Sequence, residues 1–181
     1  MQRYIIRGGK KLFGEVDISG SKNASLPILA ATIISGKRTK LYNLPDIEDV
    51  KVTLEILKCL GAKIKKDSNK VIIDTKHLNK TIIPDDLMRK LRSSVIIAGA
   101  IIARFKEVSF SYPGGCDIGA RPIDLHLKGF EKLGIKVEEY YGKINCSAEE
   151  IQGTEIHLDF PSVGATENIM MASVLLKGTT T

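Results

Sequence analysis

The distribution of apolar and polar residues along the chain predicts two kinds of helix. Residues 24–34, 87–103 and 165–176 are apolar around nearly the whole helical circumference. Helices of this kind pack at the centre of a fold rather than on its surface. We therefore expect three central helices, with sheets forming the outside of the molecule.

Two further segments, 46–64 and 117–137, show the spacing of amphipathic helices and resemble each other in sequence. Each runs to a Leu-Gly pair, so Gly61 and Gly134 are predicted to end the two helices, with an alternating strand after each. One face of each predicted helix is apolar at positions i, i+4 and i+7: Val50, Leu54 and Leu57 in the first, and Ile123, Leu127 and Phe130 in the second.

These similarities define an internal repeat of about 71 residues. Gly61 and Gly134 are 73 residues apart, and Gly36 and Gly178, which follow similar apolar segments, are 142 apart. Each unit is predicted to contain a strand, a turn, an apolar helix, a strand, a second helix and a further strand. The sequence thus predicts an α/β fold of βαβαβ-type units. A third unit begins near Gly153, and only its first half falls within the 181 residues.

Composition and charge narrow the class of protein. The chain is 43% hydrophobic, has a net charge of +6 and contains no Trp. The charge favours anionic partners, either phosphorylated metabolites or nucleic acid, or a merely solvated basic surface. The lack of aromatic stacking runs argues against nucleic acid. No apolar run is long enough to span a membrane, so a cytoplasmic protein is expected.

The loop SYPGGCDIGARPIDLH carries the most distinctive chemistry. Cys116 follows two glycines and precedes Arg121, near the start of the helix that Pro122 is predicted to open. A nearby cation and a helix N-terminus favour the thiolate, which suits a nucleophile or a proton donor; the alternative is a small buried side chain. Cys59, on a core-facing helix, and Cys146, in a strand, are predicted to be structural. Three widely spaced cysteines predict neither a disulfide framework nor a metal site.

Repeat-equivalent turns supply further candidates for binding an anion. Lys22 and Asn23 lie at the turn before the first apolar helix, and Arg92 lies in the corresponding stretch of the second unit. The third unit places Ser162, Val163 and Gly164 in the same turn. Equivalent turns of a repeat gather on one side, so these residues and Arg121 are predicted to line one cleft. The alternative for Lys22 is a solvated turn lysine.

Two residues after Pro122 are weaker candidates. His126 lies one helical turn beyond the proline, so it either faces the predicted cleft or lies on the helix surface. Asp124 either accepts hydrogen bonds from a ligand or is an acidic residue favoured by the helix dipole in the first turn.

Three segments carry a resemblance to a known family: GGKKLFGEVDISGSKNASLPILAA, PGGCDIGARPIDLHLKG and FPSVGATENIMMAS. Together they resemble the enolpyruvyl-UDP-N-acetylglucosamine synthases, in the superfamily shared with 3-phosphoshikimate 1-carboxyvinyltransferase. The resemblance implies an inside-out α/β barrel domain of βαβαββ-type units, here truncated in the third. It also implies a bacterial enzyme of peptidoglycan synthesis, which transfers the enolpyruvyl group of phosphoenolpyruvate to the 3-hydroxyl of UDP-N-acetylglucosamine and requires no cofactor.

The resemblance also assigns roles to residues. Cys116 and Lys22 would be catalytic, and fosfomycin would alkylate Cys116. Lys22, Arg92 and Arg121 would neutralise phosphoenolpyruvate. The binding residues of the UDP-sugar would be Asn23, Arg121, Pro122, Ile123, Asp124, Leu125, Ser162, Val163 and Gly164, with His126 as a further ligand contact.

The resemblance further implies two domains. Residues 1–21 would form a strand segment of a second domain, and 22–181 an incomplete transferase domain. The catalytic base would lie in the second domain beyond Thr181, so the fragment alone is expected to turn over no substrate. Three alternatives remain at this point: 3-phosphoshikimate 1-carboxyvinyltransferase, whose family lacks the cysteine loop, a nucleic-acid module like the RNA 3′-phosphate cyclases, and a catalytically silent interaction domain.

Overall fold

The computed structural model describes residues 3–67, 69–114 and 122–181, with Arg92 described by its backbone alone. The chain contains both helices and strands, interspersed along its length, as the sequence pattern predicts. The helices are α1 Lys22–Ser35, α2 Glu48–Cys59, α3 Asp85–Lys90, a 3₁₀ helix Arg92–Val95, α4 Ile96–Phe105, α5 Asp124–Lys132 and α6 Val163–Ser173. The strands are β1 Arg38–Tyr42, β2 Lys63–Asp67, β3 Lys70–Asp74, β4 Glu107–Ser111, β5 Lys136–Tyr140 and β6 Lys143–Ser147.

The two predicted repeat units have the same sheet topology. In the described residues, β1, β3 and β2 form one antiparallel sheet in that order, and β4, β6 and β5 form another. The first strand of the predicted unit is reduced to a single parallel bridge, between Ile82 and Ser109 in the second unit and between Gln152 and Lys177 in the third. The repeat is therefore confirmed, with a much shorter first strand than the pattern indicates.

Gly61 and Gly134 end the two amphipathic helices in the same way. Both have positive φ, +110° and +82°, which side chains with a Cβ rarely adopt. After α2, Gly61 N–H donates to the Lys58 carbonyl and Ala62 N–H to the Leu57 carbonyl, both at 2.9 Å. This pair of bonds is the Schellman motif, and α5 repeats it at Gly134 and Ile135 with bonds of 3.0 Å. The glycine therefore turns the chain into the following strand in both units.

The apolar helices lie at the centre, as predicted. All residues of α4 from Ile96 to Ala103 are buried, and α4 packs against both α1 and α6. The amphipathic helices turn their apolar faces inward, and Val50, Leu57, Ile123 and Phe130 belong to the same core. The chain therefore has the inside-out arrangement of a mixed α/β fold, with helices inside and sheets outside.

The prediction of one helix over 87–103 is wrong. The chain forms α3, breaks at Leu91, and resumes in the 3₁₀ helix and α4. Leu91 has the extended dihedrals φ −137° and ψ 114°. The buried Ser94 hydroxyl donates to the Leu91 carbonyl and lies 3.3 Å from that of Met88. Serine side chains that bond nearby carbonyls offer the backbone an alternative to the regular helix, which accounts for the interruption.

The segment before α1 forms no strand with the described part of the chain, and its place in a second domain stays a prediction. Residues 3–20 form no strand, because they pair with no other strand among the described residues. Seven large apolar side chains of this segment are 80 to 94% exposed: Tyr4, Ile5, Ile6, Leu12, Phe13, Val16 and Ile18. Two predicted helix boundaries differ by a few residues from those observed. The first apolar helix begins at Lys22 instead of residue 24, and the third ends at Ser173 instead of residue 176.

Arg104 joins the first two units, and its replacement by Met is expected to lower the free energy of unfolding by about 2–4 kcal/mol. Its guanidinium donates to the carbonyls of Ile33 at 3.0 Å, Thr75 at 2.8 Å and Lys76 at 3.3 Å. Methionine keeps the apolar stem and leaves those carbonyls without this donor. Urea denaturation measures the change. The matched control is Arg38→Met on the exposed face of β1, where less than about 0.5 kcal/mol is expected; equal losses in both variants would contradict the assignment.

Candidate functional site

Two helix N-termini face the same region of the molecule. Ser21 caps α1, where its hydroxyl accepts a bond of 3.4 Å from Ala24 N–H. Ser162 caps α6 in the same way, with a bond of 3.3 Å from Ala165 N–H. Both caps have extended dihedrals, the conformation that lets a serine hydroxyl reach the first free backbone amides of a helix. Because helix N-termini carry partial positive charge, this region favours anions.

A cleft of about 480 Å³ lies between these termini, within the size range of small-molecule sites. The first turns of α1, α2 and α6, the break after α3, and the start of α5 contribute to its walls. Among the described residues, it is lined by Lys22, Asn23, Leu26, Asp49, Lys90, Leu91, Ser93, Val95, Ile96, Gly114, Ile123, His126, Ser162 and Gly164.

The charged side chains of the cleft are two lysines and one aspartate among the described residues. Lys22, at the start of α1, forms an ion pair with Asp49, in the first turn of α2. The Lys22 side chain is half exposed, so its ammonium group remains accessible from solvent. Lys90 is exposed at the end of α3. The cleft therefore combines a surplus of positive charge with the two helix N-termini, which suits a phosphate or carboxylate group.

A buried polar connection lies behind the cleft wall. Asn168 of α6 is fully buried, and its side-chain oxygen accepts a bond of 2.8 Å from the Gly99 N–H of α4. Its amide nitrogen lies 3.0 Å from Nδ1 of His126 on α5. His126 is itself buried, with 7% of its surface exposed. One asparagine thus ties together three helices and holds the histidine that lines the cleft.

The structure brings together six of the predicted site residues: Lys22, Asn23, Ile123, His126, Ser162 and Gly164. His126 is buried and lines the cleft rather than the helix surface, while its contact with a ligand stays a prediction. Pro122, Asp124 and Val163 are exposed and are not among the lining residues. Leu125 lines a separate groove with Lys128 and His157. Cys116 and Arg121 lie outside the described residues, and Arg92, at the start of the 3₁₀ helix, is described by its backbone alone.

The sequence analysis does not single out three polar or charged lining residues, Asp49, Lys90 and Ser93, nor the buried Asn168 behind the cleft wall. Asp49 lies in the first turn of a repeat helix, where the amphipathic pattern alone does not indicate a site. Asn168 had a visible signal, because it is a polar residue inside the apolar segment of α6 and is fully buried. Buried polar side chains are nearly always hydrogen-bonded, so such a residue predicts a specific partner.

The two described cysteines differ in environment. Cys146 on β6 is buried, and burial raises the pKa of its thiol to about 12. This agrees with a structural role, because the reactive thiolate is then scarce at neutral pH. Cys59, predicted to face the core, is instead exposed at the last position of α2. The apolar face of that helix is completed by Ile56, Leu57 and Leu60, which leaves Cys59 on the solvent side.

The described residues hold neither a cluster of metal ligands nor a membrane-spanning helix. In ranges 3–67, 69–114 and 122–181, no three His, Cys, Asp or Glu side chains come together as metal ligands would. The helices of this part of the chain are too short or too polar to cross a bilayer.

The mixed α/β fold with central helices and an anion-favouring cleft is that of a known protein family. The family model of EPSP synthase (3-phosphoshikimate 1-carboxyvinyltransferase) matches residues 6–181, so the chain belongs to this family. A UDP-N-acetylglucosamine 1-carboxyvinyltransferase 2 of Caldanaerobacter subterraneus subsp. tengcongensis is 51% identical over 180 residues. One with the same name from Carboxydothermus hydrogenoformans is 48% identical. Each alignment covers 99% of this chain and 43% of the relative, so the chain spans less than half the length of these relatives.

Solved structures show the same fold at lower identity. The enolpyruvyl transferase NikO from Streptomyces tendae superposes with a TM-score of 0.80 over 96% of this chain and 41% of its own, at 21% identity. An EPSP synthase from Acinetobacter baumannii gives a TM-score of 0.70 over 91% of this chain and 39% of its own, at 19% identity.

Proposed function

We propose that this chain forms the substrate-binding cleft of a UDP-N-acetylglucosamine 1-carboxyvinyltransferase, which transfers the enolpyruvyl group of phosphoenolpyruvate to the sugar 3-hydroxyl and releases phosphate. One observation carries the proposal: the helix N-termini of α1 and α6 converge with Lys22 on a single cleft. Relatives about half identical to this chain and bearing that name support the choice of substrates. The reaction would serve peptidoglycan synthesis.

The anionic parts of both substrates suit this cleft. Lys22, with Arg92 and Arg121, would neutralise the phosphate and carboxylate of phosphoenolpyruvate. Asn23 would hold the UDP-sugar. The segment 121–125 and the start of α6 at 162–164 would bind the uridine diphosphate, where backbone amides of a helix N-terminus favour phosphate.

Cys116 would be the acid of the addition step. Its thiol would give a proton to the methylene carbon of phosphoenolpyruvate, while the 3-hydroxyl oxygen bonds to the neighbouring carbon and loses its own proton to a base. Loss of phosphate and of a methyl proton then restores the enol double bond. The base would come from a second domain of the same polypeptide, and the fragment alone would turn over no substrate.

The N-terminal segment would belong to that second domain. Residues 3–20 expose seven large apolar side chains and pair with no strand in the described part of the chain. An apolar segment of this kind is costly to leave in water, which supports its packing against another part of the full polypeptide. Residues 22–181 would then form the incomplete transferase domain.

Fosfomycin provides the test. The longest natural polypeptide that carries this sequence is incubated with fosfomycin and UDP-N-acetylglucosamine, and its peptides are examined by mass spectrometry. We expect one adduct, on Cys116, and none on Cys146, whose raised pKa and burial suppress reaction. A Cys116→Ser variant is the matched control and should gain no mass.

Cys59 makes this experiment decisive, because it is exposed and reports unspecific alkylation. Equal labelling of Cys59 and Cys116, or labelling that does not depend on the UDP-sugar, would argue against the proposed site. Enolpyruvyl transfer to shikimate 3-phosphate rather than to the UDP-sugar would favour the other activity named for the family.

A further inference from the structure

Asn168 lies where three helices meet, and its orientation is fixed by the protein backbone. An asparagine side chain can be turned by half a rotation, so its oxygen and nitrogen must be assigned from their partners. Here one partner is the Gly99 N–H, which can only donate. The atom 2.8 Å from it must therefore be the asparagine oxygen. The amide nitrogen is then necessarily the atom that faces His126.

The tautomer of His126 follows from this orientation. An amide NH₂ group only donates, so the ring nitrogen 3.0 Å away, Nδ1, has to accept. A proton on Nδ1 would set donor against donor inside a buried site, where Asn168 is fully buried and His126 nearly so. The single ring proton of the neutral imidazole is therefore on Nε2.

The protonated nitrogen of the His126 ring, Nε2, lies on the side of the ring that is close to the N-terminus of α6. A methyl group placed on Gly164 would lie 3.5 Å from Cε1 and 3.7 Å from Nε2 of His126. Gly164 belongs to the first turn of α6, whose cap Ser162 lines the same cleft. The ring thus turns its accepting nitrogen towards the interior and its donating nitrogen towards the ligand side.

We propose that Asn168 is a positioning residue, which holds His126 in the neutral tautomer with its proton on Nε2, as a hydrogen-bond donor for an anionic oxygen of the ligand. Through the Gly99 amide, the backbone of α4 dictates the asparagine orientation, and the asparagine dictates the histidine tautomer. The tautomer depends on the geometry alone. The part that concerns the ligand rests on the proposed function.

Nitrogen-15 NMR of the imidazole tests the tautomer directly. The chain contains three histidines, and His77 and His157 are exposed, so replacing both with Gln leaves His126 as the one imidazole signal. In this background we expect a pyridine-type signal for Nδ1 and a pyrrole-type signal for Nε2. A protonated Nδ1 would overturn the proposal, and this measurement needs no change at Asn168.

An Asn168→Asp variant tests the role of the asparagine. The carboxylate has nearly the same shape and still accepts from Gly99 N–H, but its second oxygen now faces Nδ1 as an acceptor. We expect the ring proton to move, so that Nδ1 gives a pyrrole-type signal and Nε2 a pyridine-type signal. Asn145→Asp on the exposed face of β6 makes the same change of charge at a remote position and should leave the signal as it was. An unaltered Nδ1 signal in a folded Asn168→Asp variant would overturn the assignment.

Binding of UDP-N-acetylglucosamine tests the contact of His126 with the ligand separately from the tautomer of His126. With the correct donor lost from the cleft, we expect affinity in the Asn168→Asp variant to fall about tenfold, the effect of one hydrogen bond near the upper end of the usual range. A shifted tautomer with unchanged affinity would overturn the ligand-facing role. If the wild-type protein binds no UDP-sugar, the proposed function fails, while the NMR result still decides the tautomer.

Discussion

Replacement of Gly99 with Ala is expected to lower the free energy of unfolding by about 3–5 kcal/mol, a large share of the 5–15 kcal/mol typical of a domain. The added methyl would overlap the side-chain oxygen and the backbone carbonyl oxygen of Asn168, and would lie 3.2 Å from its carbonyl carbon. Backbone atoms of a buried helix have little freedom to move. Relief therefore requires α4 and α6 to separate, which also breaks the bond from Gly99 N–H to Asn168.

Gly129→Ala is a matched control for this prediction. Its methyl would overlap the end of the Ile169 side chain rather than a backbone, and its nearest atoms there are Cδ1 and Cγ1. A side chain can change rotamer, so a smaller loss of about 1–2 kcal/mol is expected. Both substitutions sit in helices and gain the same helix propensity, of about 1 kcal/mol, over glycine. Their difference in urea denaturation therefore measures the steric contact, and equal losses would contradict the close crossing at Gly99.

The fold was largely predictable because it repeats. The apolar faces of α2 and α5, the two Leu-Gly ends, and the central position of the apolar helices all follow from local periodicity. The break at Leu91 does not follow from that periodicity, because the mainly apolar segment 87–103 also suits one continuous helix. What interrupts it is the buried Ser94 hydroxyl, whose carbonyl partners depend on tertiary packing.

The candidate site was predictable only where equivalent turns of the repeat supply it. Lys22 and Ser162 occupy such turns in different units, and equivalence places them on the same side of the molecule. Asp49 pairs with Lys22 from another helix of the same unit, and Asn168 reaches His126 from another unit. Contacts between helices carry no sequence period, so the pattern does not identify either pair.

Asp49 gives the lysine of the cleft a competing partner, and this decides what charge an incoming ligand meets. With the pair intact, the two charges largely cancel; with a ligand bound, the ammonium is shared between the aspartate and the anion. Replacing Lys22 is therefore expected to weaken anion binding, whereas replacing Asp49 is not. An ion pair with a purely structural role would instead lose the same stability whichever of the two residues is replaced.

On the proposed function, Lys22→Met is expected to weaken phosphoenolpyruvate binding about a thousandfold in the longest natural polypeptide that carries this sequence. The change removes one charge-assisted contact, and it also leaves Asp49 as an unpaired negative charge beside the incoming anion. Titration calorimetry without the UDP-sugar, where the proposed transfer cannot proceed, measures the loss.

Asp49→Asn is the matched change on the other side of the pair. It removes the competitor and should leave the phosphoenolpyruvate affinity unchanged or raise it by up to about tenfold. The double variant, Lys22→Met with Asp49→Asn, should recover about tenfold over Lys22→Met alone, because the repulsive carboxylate is gone although the cation is still missing. If Asp49→Asn weakens binding as strongly as Lys22→Met does, then the aspartate holds the lysine in its binding position. That result would contradict the prediction that the carboxylate competes with the ligand.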